Sequence, residues 1–211
     1  MELTVCIRTH AQRVYLAEDL KSICDRAFPL GTSIVMCDNG VSSPLYSEQY
    51  IVNLSVIFRD VCTPYILLLE DDIYLAEDAL EAVQAAISRG DSHNWYTVDT
   101  TSDILDKSAW IPKYGYILPF ANHISYSGAI LLKTEDLCLY LEKYILNFTE
   151  YEVTNFDVTV SAFIVERYGH LHLRPGYFLQ RAGVESSIKH PQRGRIHYDP
   201  SEVFEYTGPK V

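Results

Sequence analysis

The chain contains no run of eighteen apolar residues, so no membrane-spanning helix is expected. Its start, Met1-Glu2-Leu3-Thr4-Val5-Cys6-Ile7, has neither the basic opening nor the long apolar core of a secretory leader, so either a cytoplasmic location or a trimmed start is expected. The five cysteines, Cys6, Cys24, Cys37, Cys62 and Cys138, are scattered and odd in number. They show no zinc spacing and no disulfide framework, and such cysteines behave as small buried hydrophobes. Asn53-Leu54-Ser55 and Asn147-Phe148-Thr149 match the glycosylation triplet, but each falls where a helix is expected. Basic residues are also short in supply. Seventeen Lys and Arg face twenty-eight Asp and Glu, for a formal charge of −11. Such an acidic surface disfavours nonspecific binding to nucleic acid or anionic membrane. There is no repeat, low-complexity tract or linker, and 211 residues suit a single domain that buries its own core.

What is present alternates between strand and helix signals. Thr4 to Arg8 reads as a buried strand, and Val14, Ala17, Leu20, Cys24 and Ala27 recur at helical spacing until Pro29 and Gly31 break the pattern. Ser33 to Cys37 is a second apolar strand, closed by the turn Asp38-Asn39-Gly40. Leu45 to Val61 reads as a helix, Tyr65 to Leu69 as a third strand, and Ala76, Leu80, Val83 and Ile87 as a helix ended by Arg89-Gly90. This β-α-β-α-β-α order predicts an α/β fold with a mostly parallel sheet and helices on both faces. Ligands in such sheets sit beyond the carboxyl ends of the strands. Three polar clusters fall there: Arg8-Thr9-His10, Asp38-Asn39 and Glu70-Asp71-Asp72.

The second half is less regular. Strands are expected at Trp95–Val98, Tyr126–Leu132, Leu171–Leu173 and Tyr177–Leu179, and helices at Leu137–Leu146 and Asn155–Tyr168, the latter stopped by Gly169. Residues 99–122 are rich in turns and aromatics and read as a loop over the site. A single domain is expected, with a first half that carries the three clusters (1–98), a less regular second half (99–182) and a polar, basic tail (183–211).

The acidic triplet is the most informative segment. Three consecutive carboxylates directly after a buried strand repel one another, and a hard divalent cation such as manganese or magnesium is a natural offset. Such an ion would neutralise a departing diphosphate. The plainer alternative is that Asp71 and Asp72 open the next helix, where negative charge is favoured.

Pro64-Tyr65-Ile66-Leu67-Leu68-Leu69-Glu70-Asp71-Asp72 resembles the strand and acidic motif of GT-A glycosyltransferases, in the EDD form of DxD found among N-acetylglucosaminyltransferases. The resemblance implies a GT-A-like fold, a nucleotide-diphosphate sugar donor of the UDP class, and a manganese ion on Asp72 with Glu70 beside the sugar or ribose. Phe178-Leu179-Gln180-Arg181-Ala182-Gly183-Val184-Glu185-Ser186-Ser187 is loosely similar to the HxGxxSS stretch of the Golgi branching enzymes, with Arg181 replacing its first histidine. No counterpart of their membrane anchor is expected in this chain, and their substrate is not carried over. In the family, the corner after strand one contacts base and phosphates, which implies a role for Arg8, Thr9 and His10, and an acid at the end of strand two meets the base or ribose, which points to Asp38. For His10 a surface loop, and for Asp38 simple turn chemistry, are equal alternatives.

Other candidates follow from what transfer needs. Ser127-Gly128 enters a strand where glycine lets backbone approach a sugar, although strand entry alone also explains it. An inverting transfer, the expected course, requires a carboxylate to take the acceptor proton. The family places such an acid at the start of a helix in the second half, which singles out Asp157. Thr154 and Asp157 also match a capping box, and Asp99, Asp103 and Glu185 compete for the role. Lys189-His190-Pro191-Gln192-Arg193-Gly194-Arg195 could fold over the diphosphate, with His190 as a further metal ligand, or simply be a solvated tail. A glycan or protein acceptor is the default expectation, with a nucleobase hydroxyl on DNA as the alternative. The rival readings are a sugar-phosphate nucleotidyltransferase, disfavoured because residues 9–15 lack glycine, and a non-catalytic sugar-binding module.

Overall fold

The computed structural model describes residues 3–29, 31–38, 61–76, 78–90, 93–96, 109–111, 115–118, 128–145, 156–169, 171–173 and 178–180. The chain begins with strand β1 (Leu3–His10), helix α1 (Val14–Ala27) and strand β2 (Thr32–Asp38). After residues 39–60, which include the helix expected from Leu45 and lie outside the described residues, come β3 (Tyr65–Glu70), β4 (Ile73–Leu75), α2 (Ala79–Arg89) and β5 (His93–Tyr96). The remaining elements are β6 (Ala109–Ile111), β7 (Gly115–Leu118), β8 (Ala129–Lys133), α3 (Thr134–Ile145), α4 (Phe156–Tyr168), β9 (Leu171–Leu173) and β10 (Phe178–Gln180).

Eight strands form one sheet in the order β2-β1-β3-β8-β5-β9-β7-β6, and β10 pairs with β4 in a second, two-stranded sheet. Following the pairings from β1 across the large sheet, only β8 and β7 run against the other six strands. The expected mostly parallel α/β sheet is therefore observed. Strand order reverses at β1, which has β2 on one side and β3 on the other. That reversal opens the crevice in which ligands of such sheets bind.

Burial on both faces explains the near-continuous apolar strands. Leu3, Val5 and Ile7 of β1, Leu67 and Leu69 of β3, and Ala129 and Leu131 of β8 share one face. They form a single cluster with Leu20 and Cys24 of α1 and Ala79, Val83 and Ala86 of α2. The alternate residues Cys6, Ile66, Leu68, Ile130 and Leu132 are buried on the other face. There α3 packs on α4 and on β8. Tyr140 of α3 and Thr159 of α4, both buried, share a 2.6 Å hydrogen bond between those helices. Buried Asp136 accepts from Arg167 Nε at 2.9 Å and from the Tyr168 hydroxyl. Gly90 and Gly169 end α2 and α4 at positive φ, 73° and 78°, where residues with a Cβ are strained.

Three expectations are corrected. Residues 99–122 were expected as a loop, yet they contribute β6 and β7 to the sheet edge. The helix after the acidic triplet starts only at Ala79, because Ile73–Leu75 forms β4 first. Asp71 and Asp72 thus form a turn and do not open that helix. The strand expected from Trp95 to Val98 is described instead as His93–Tyr96. No helix among the described residues is long and apolar enough to cross a membrane.

Candidate functional site

The carboxyl ends of β1 and β3 adjoin, and their register builds the site. Arg8 is paired in register with Glu70 across the parallel ladder. Successive side chains on a strand alternate faces, so in-register residues of paired strands share a face. Arg8 Nη1 accordingly donates to Glu70 Oε1 at 3.3 Å. One residue on, the Thr9 hydroxyl donates to Asp71 Oδ2 at 2.7 Å. The Glu70 amide donates to the carbonyl of Gly128 at 3.0 Å, which brings the entry of β8 to the same point. Arg8, Thr9, Glu70, Asp71, Asp72 and Gly128 therefore meet, as expected from the sequence.

Arg13 joins them without having been singled out. It precedes α1, and its Nη2 bridges Asp71 Oδ1 and Asp72 Oδ2, the second at 3.2 Å. Part of the positive charge that the triplet demands thus comes from the β1–α1 loop. Its one signal in the sequence emerges only against the charge of the triplet: Arg13 is the one Lys or Arg between the end of β1 and α1.

The three carboxylates are not equivalent. Asp71 is 3% exposed, with one oxygen on Thr9 and the other on Arg13. Asp72 and Glu70 keep more solvent contact, at 11% and 28% of the side chain. Hard oxygen donors with solvent access fit a magnesium- or manganese-type ion, which needs few carboxylates when waters and substrate phosphates complete its shell. Among the described residues, no three His, Cys, Asp or Glu side chains converge as a complete protein ligand set. Asp72 and Glu70 would therefore hold such an ion only with help from donor oxygens or from residues beyond those described.

Burial, opposed by Arg8, pushes Glu70 up to about 7. Burial likewise pushes Asp71 up to about 6, against the Thr9 hydrogen bond and Arg13. Both folded values exceed the ordinary ones of 4.5 and 3.8. Across that window the folded protein retains protons that the unfolded chain has released, so this contribution to stability falls as pH rises. Glu70→Gln removes the Glu70 share. In metal-free buffer its stability relative to the parent chain should therefore improve from pH 5 to pH 8, as read by urea denaturation at each pH. A gap that stays constant would contradict the assignment.

His10 ends β1, in register with Asp38 of β2. It is 7% exposed, and its Nε2 has no hydrogen-bond partner among the described residues. Burial and the nearby Arg13 lower its pKa and favour the neutral ring. The surface-loop alternative does not hold for this residue, which is buried at the end of β1. Asp38 closes β2, and Asp157 lies in the first turn of α4; their side chains are outside the described set. Ser127, His190, Arg193 and Arg195, with the HxGxxSS-like stretch beyond Gln180, lie outside the described residues. The last described residue of β10, Gln180, is paired with Ile73, directly after Asp72.

No family model matches the sequence, and no curated protein matches it. Among solved structures, a glycosyltransferase involved in glycosylation of the major capsid of PBCV-1 aligns over 88% of this chain and 95% of its own. Its identity is 11% and its TM-score 0.50. The two chains share a fold: a mostly parallel sheet flanked by helices. A putative glucose-1-phosphate thymidylyltransferase from Bacillus anthracis, in complex with sucrose, aligns over 84% and 89% at 10% identity, with a TM-score of 0.47. A197 from STIV aligns over 79% and 78% at 15% identity, with a TM-score of 0.44.

Proposed function

We propose that the protein is a glycosyltransferase that moves a sugar from a nucleotide-diphosphate sugar of the UDP class to an acceptor hydroxyl. The observation that carries this reading is the meeting of Arg8, Thr9, Arg13, Glu70 and Asp72 at the carboxyl ends of β1 and β3, where the sheet order reverses. Such crevices take nucleotides, and guanidinium groups beside acids suit a diphosphate with its counter-ion. The EDD resemblance and the fold shared with a glycosyltransferase support the same class.

In this reading Asp72 and Glu70 hold a manganese or magnesium ion, with His190 as a further ligand. The ion, when bound, offsets the charge of the departing diphosphate. Arg193 and Arg195 add positive charge from a segment that follows β10, whose end is paired beside Asp72. Asp38 and His10 border the base or ribose, and Ser127-Gly128 the sugar. Asp157 takes the acceptor proton as the acceptor oxygen bonds to the anomeric carbon. The anomeric carbon–phosphate oxygen bond breaks, its electron pair leaves with the nucleoside diphosphate, and the sugar inverts.

A panel of nucleotide sugars, incubated with the chain and manganese, tests the reading. Slow hydrolysis of one donor to nucleoside diphosphate and free sugar is the expected result. Formation of a nucleotide sugar from sugar phosphate and nucleoside triphosphate, with release of pyrophosphate, would instead indicate a nucleotidyltransferase. Binding with no turnover of any donor or acceptor would indicate a sugar-binding module.

A further inference from the structure

Arg13 breaks the local rules for its position. It is the N-cap of α1, yet its side chain caps no backbone amide of that helix. Ser, Thr, Asp and Asn are preferred there because they do. It also sets a cation at the positive end of the helix dipole, and the first turn carries no acid to compensate. A residue that violates local preference is retained for something else.

Its guanidinium is also incompletely used. Nη2 is held between the two aspartates, whereas the buried Nε has no hydrogen-bond partner among the described residues. A few residues away, the buried Nε2 of His10 likewise has no partner among the described residues. Unspent polar atoms on two neighbouring residues mark a place that a polar ligand completes.

Charge decides what that ligand requires. Glu70, Asp71 and Asp72 carry three negative charges when ionised, and Arg8 and Arg13 carry two positive ones, which leaves one net negative charge. A diphosphate cannot join an acidic cluster of that sign unaided. A divalent ion reverses the sign, but Asp72 is already engaged by Arg13 at 3.2 Å. An ion and Arg13 thus compete for the same carboxylate.

We propose that Arg13 is a two-position cation. It clamps Asp71 and Asp72 while the site is empty, and it moves to the donor diphosphate when a divalent ion takes Asp72. Arg13 then serves as a positioning residue for the donor and as a guard that keeps the acids neutralised between turnovers. The inference rests on the nucleotide-sugar reading above and adds a regulatory step to it.

The test measures two affinities in the full chain, manganese alone by electron paramagnetic resonance and UDP at saturating manganese by calorimetry. Arg13→Gln should bind manganese about tenfold more tightly, because a competing cation next to the site is gone. It should bind UDP about tenfold more weakly, because a charge-assisted bond to phosphate is lost. A purely structural arginine would not move the two in opposite directions. Unchanged manganese affinity, or equal or tighter UDP binding, overturns the inference while leaving the reading intact, provided the parent chain binds UDP with manganese. Failure of the parent chain to bind UDP overturns both. If Arg13→Gln does not fold, Arg13→Lys carries the test. It should keep manganese affinity near the parent value and lose UDP affinity, since an ammonium lacks the planar fork. Full UDP affinity in that variant overturns the inference.

Discussion

Asp72→Ala should leave a folded protein whose transfer rate is lower by about a thousandfold or more, the scale on which losing charge stabilisation at a reacting centre acts. Asp72 lies in the turn after β3 and outside the apolar cluster, so truncating it opens no core cavity. Asp71 remains to hold Arg13 and Thr9, which spares the turn a stranded guanidinium. What disappears is the more exposed of the two aspartate carboxylates, the one that the proposed ion would take. Circular dichroism should show parent-like secondary structure, and excess chelator on the parent chain should reproduce the variant's rate. Undiminished transfer in Asp72→Ala would remove the metal role.

Leu67→Ala should cost about 3 kcal/mol of stability, within the range for emptying a large apolar side chain from a closed core. Leu67 is fully buried at the middle of β3, opposite Val5 of β1 and Leu131 of β8. Helices α1 and α2 close the same cluster from above, so the void has little freedom to collapse. Urea denaturation should show a lower midpoint with an unchanged slope. The effect reaches the site as well, because β3 delivers Glu70 and Asp71 three and four residues later. A loss below about 1 kcal/mol would mean that the sheet relaxes around this position more readily than close packing allows.

The strand–helix alternation of the first ninety residues was legible because burial on both sheet faces leaves apolar runs, and helices leave a clear periodic stripe. Helix α1 spans Val14–Ala27, the very residues of the apolar series, and Gly90 and Gly169 end their helices as expected. Short elements were not legible. Strand β4 has three residues, too few for a period, and its pairing with β10 joins positions about a hundred residues apart in sequence. Strands β6 and β7 lie at the sheet edge in a segment punctuated by Pro112 and Pro119, which resembles a loop by composition.

At the site, clustering of Arg8, Thr9 and the acids followed from connectivity, since a parallel sheet brings together what ends its neighbouring strands. Arg13 did not follow. Local rules place an acid or a hydroxyl before a helix, so an arginine there carries no signal until the nearby triplet is counted as charge that must be met. The orphaned Nε2 of His10 was likewise invisible, because it depends on burial by elements that the local sequence does not name.

Isothermal titration of the parent chain with UDP, once with manganese and once with chelator, tests the central claim most directly. Saturable binding that requires the ion is the result predicted for a diphosphate held at the carboxyl ends of β1 and β3. No binding in either buffer, or equal binding in both, would contradict it.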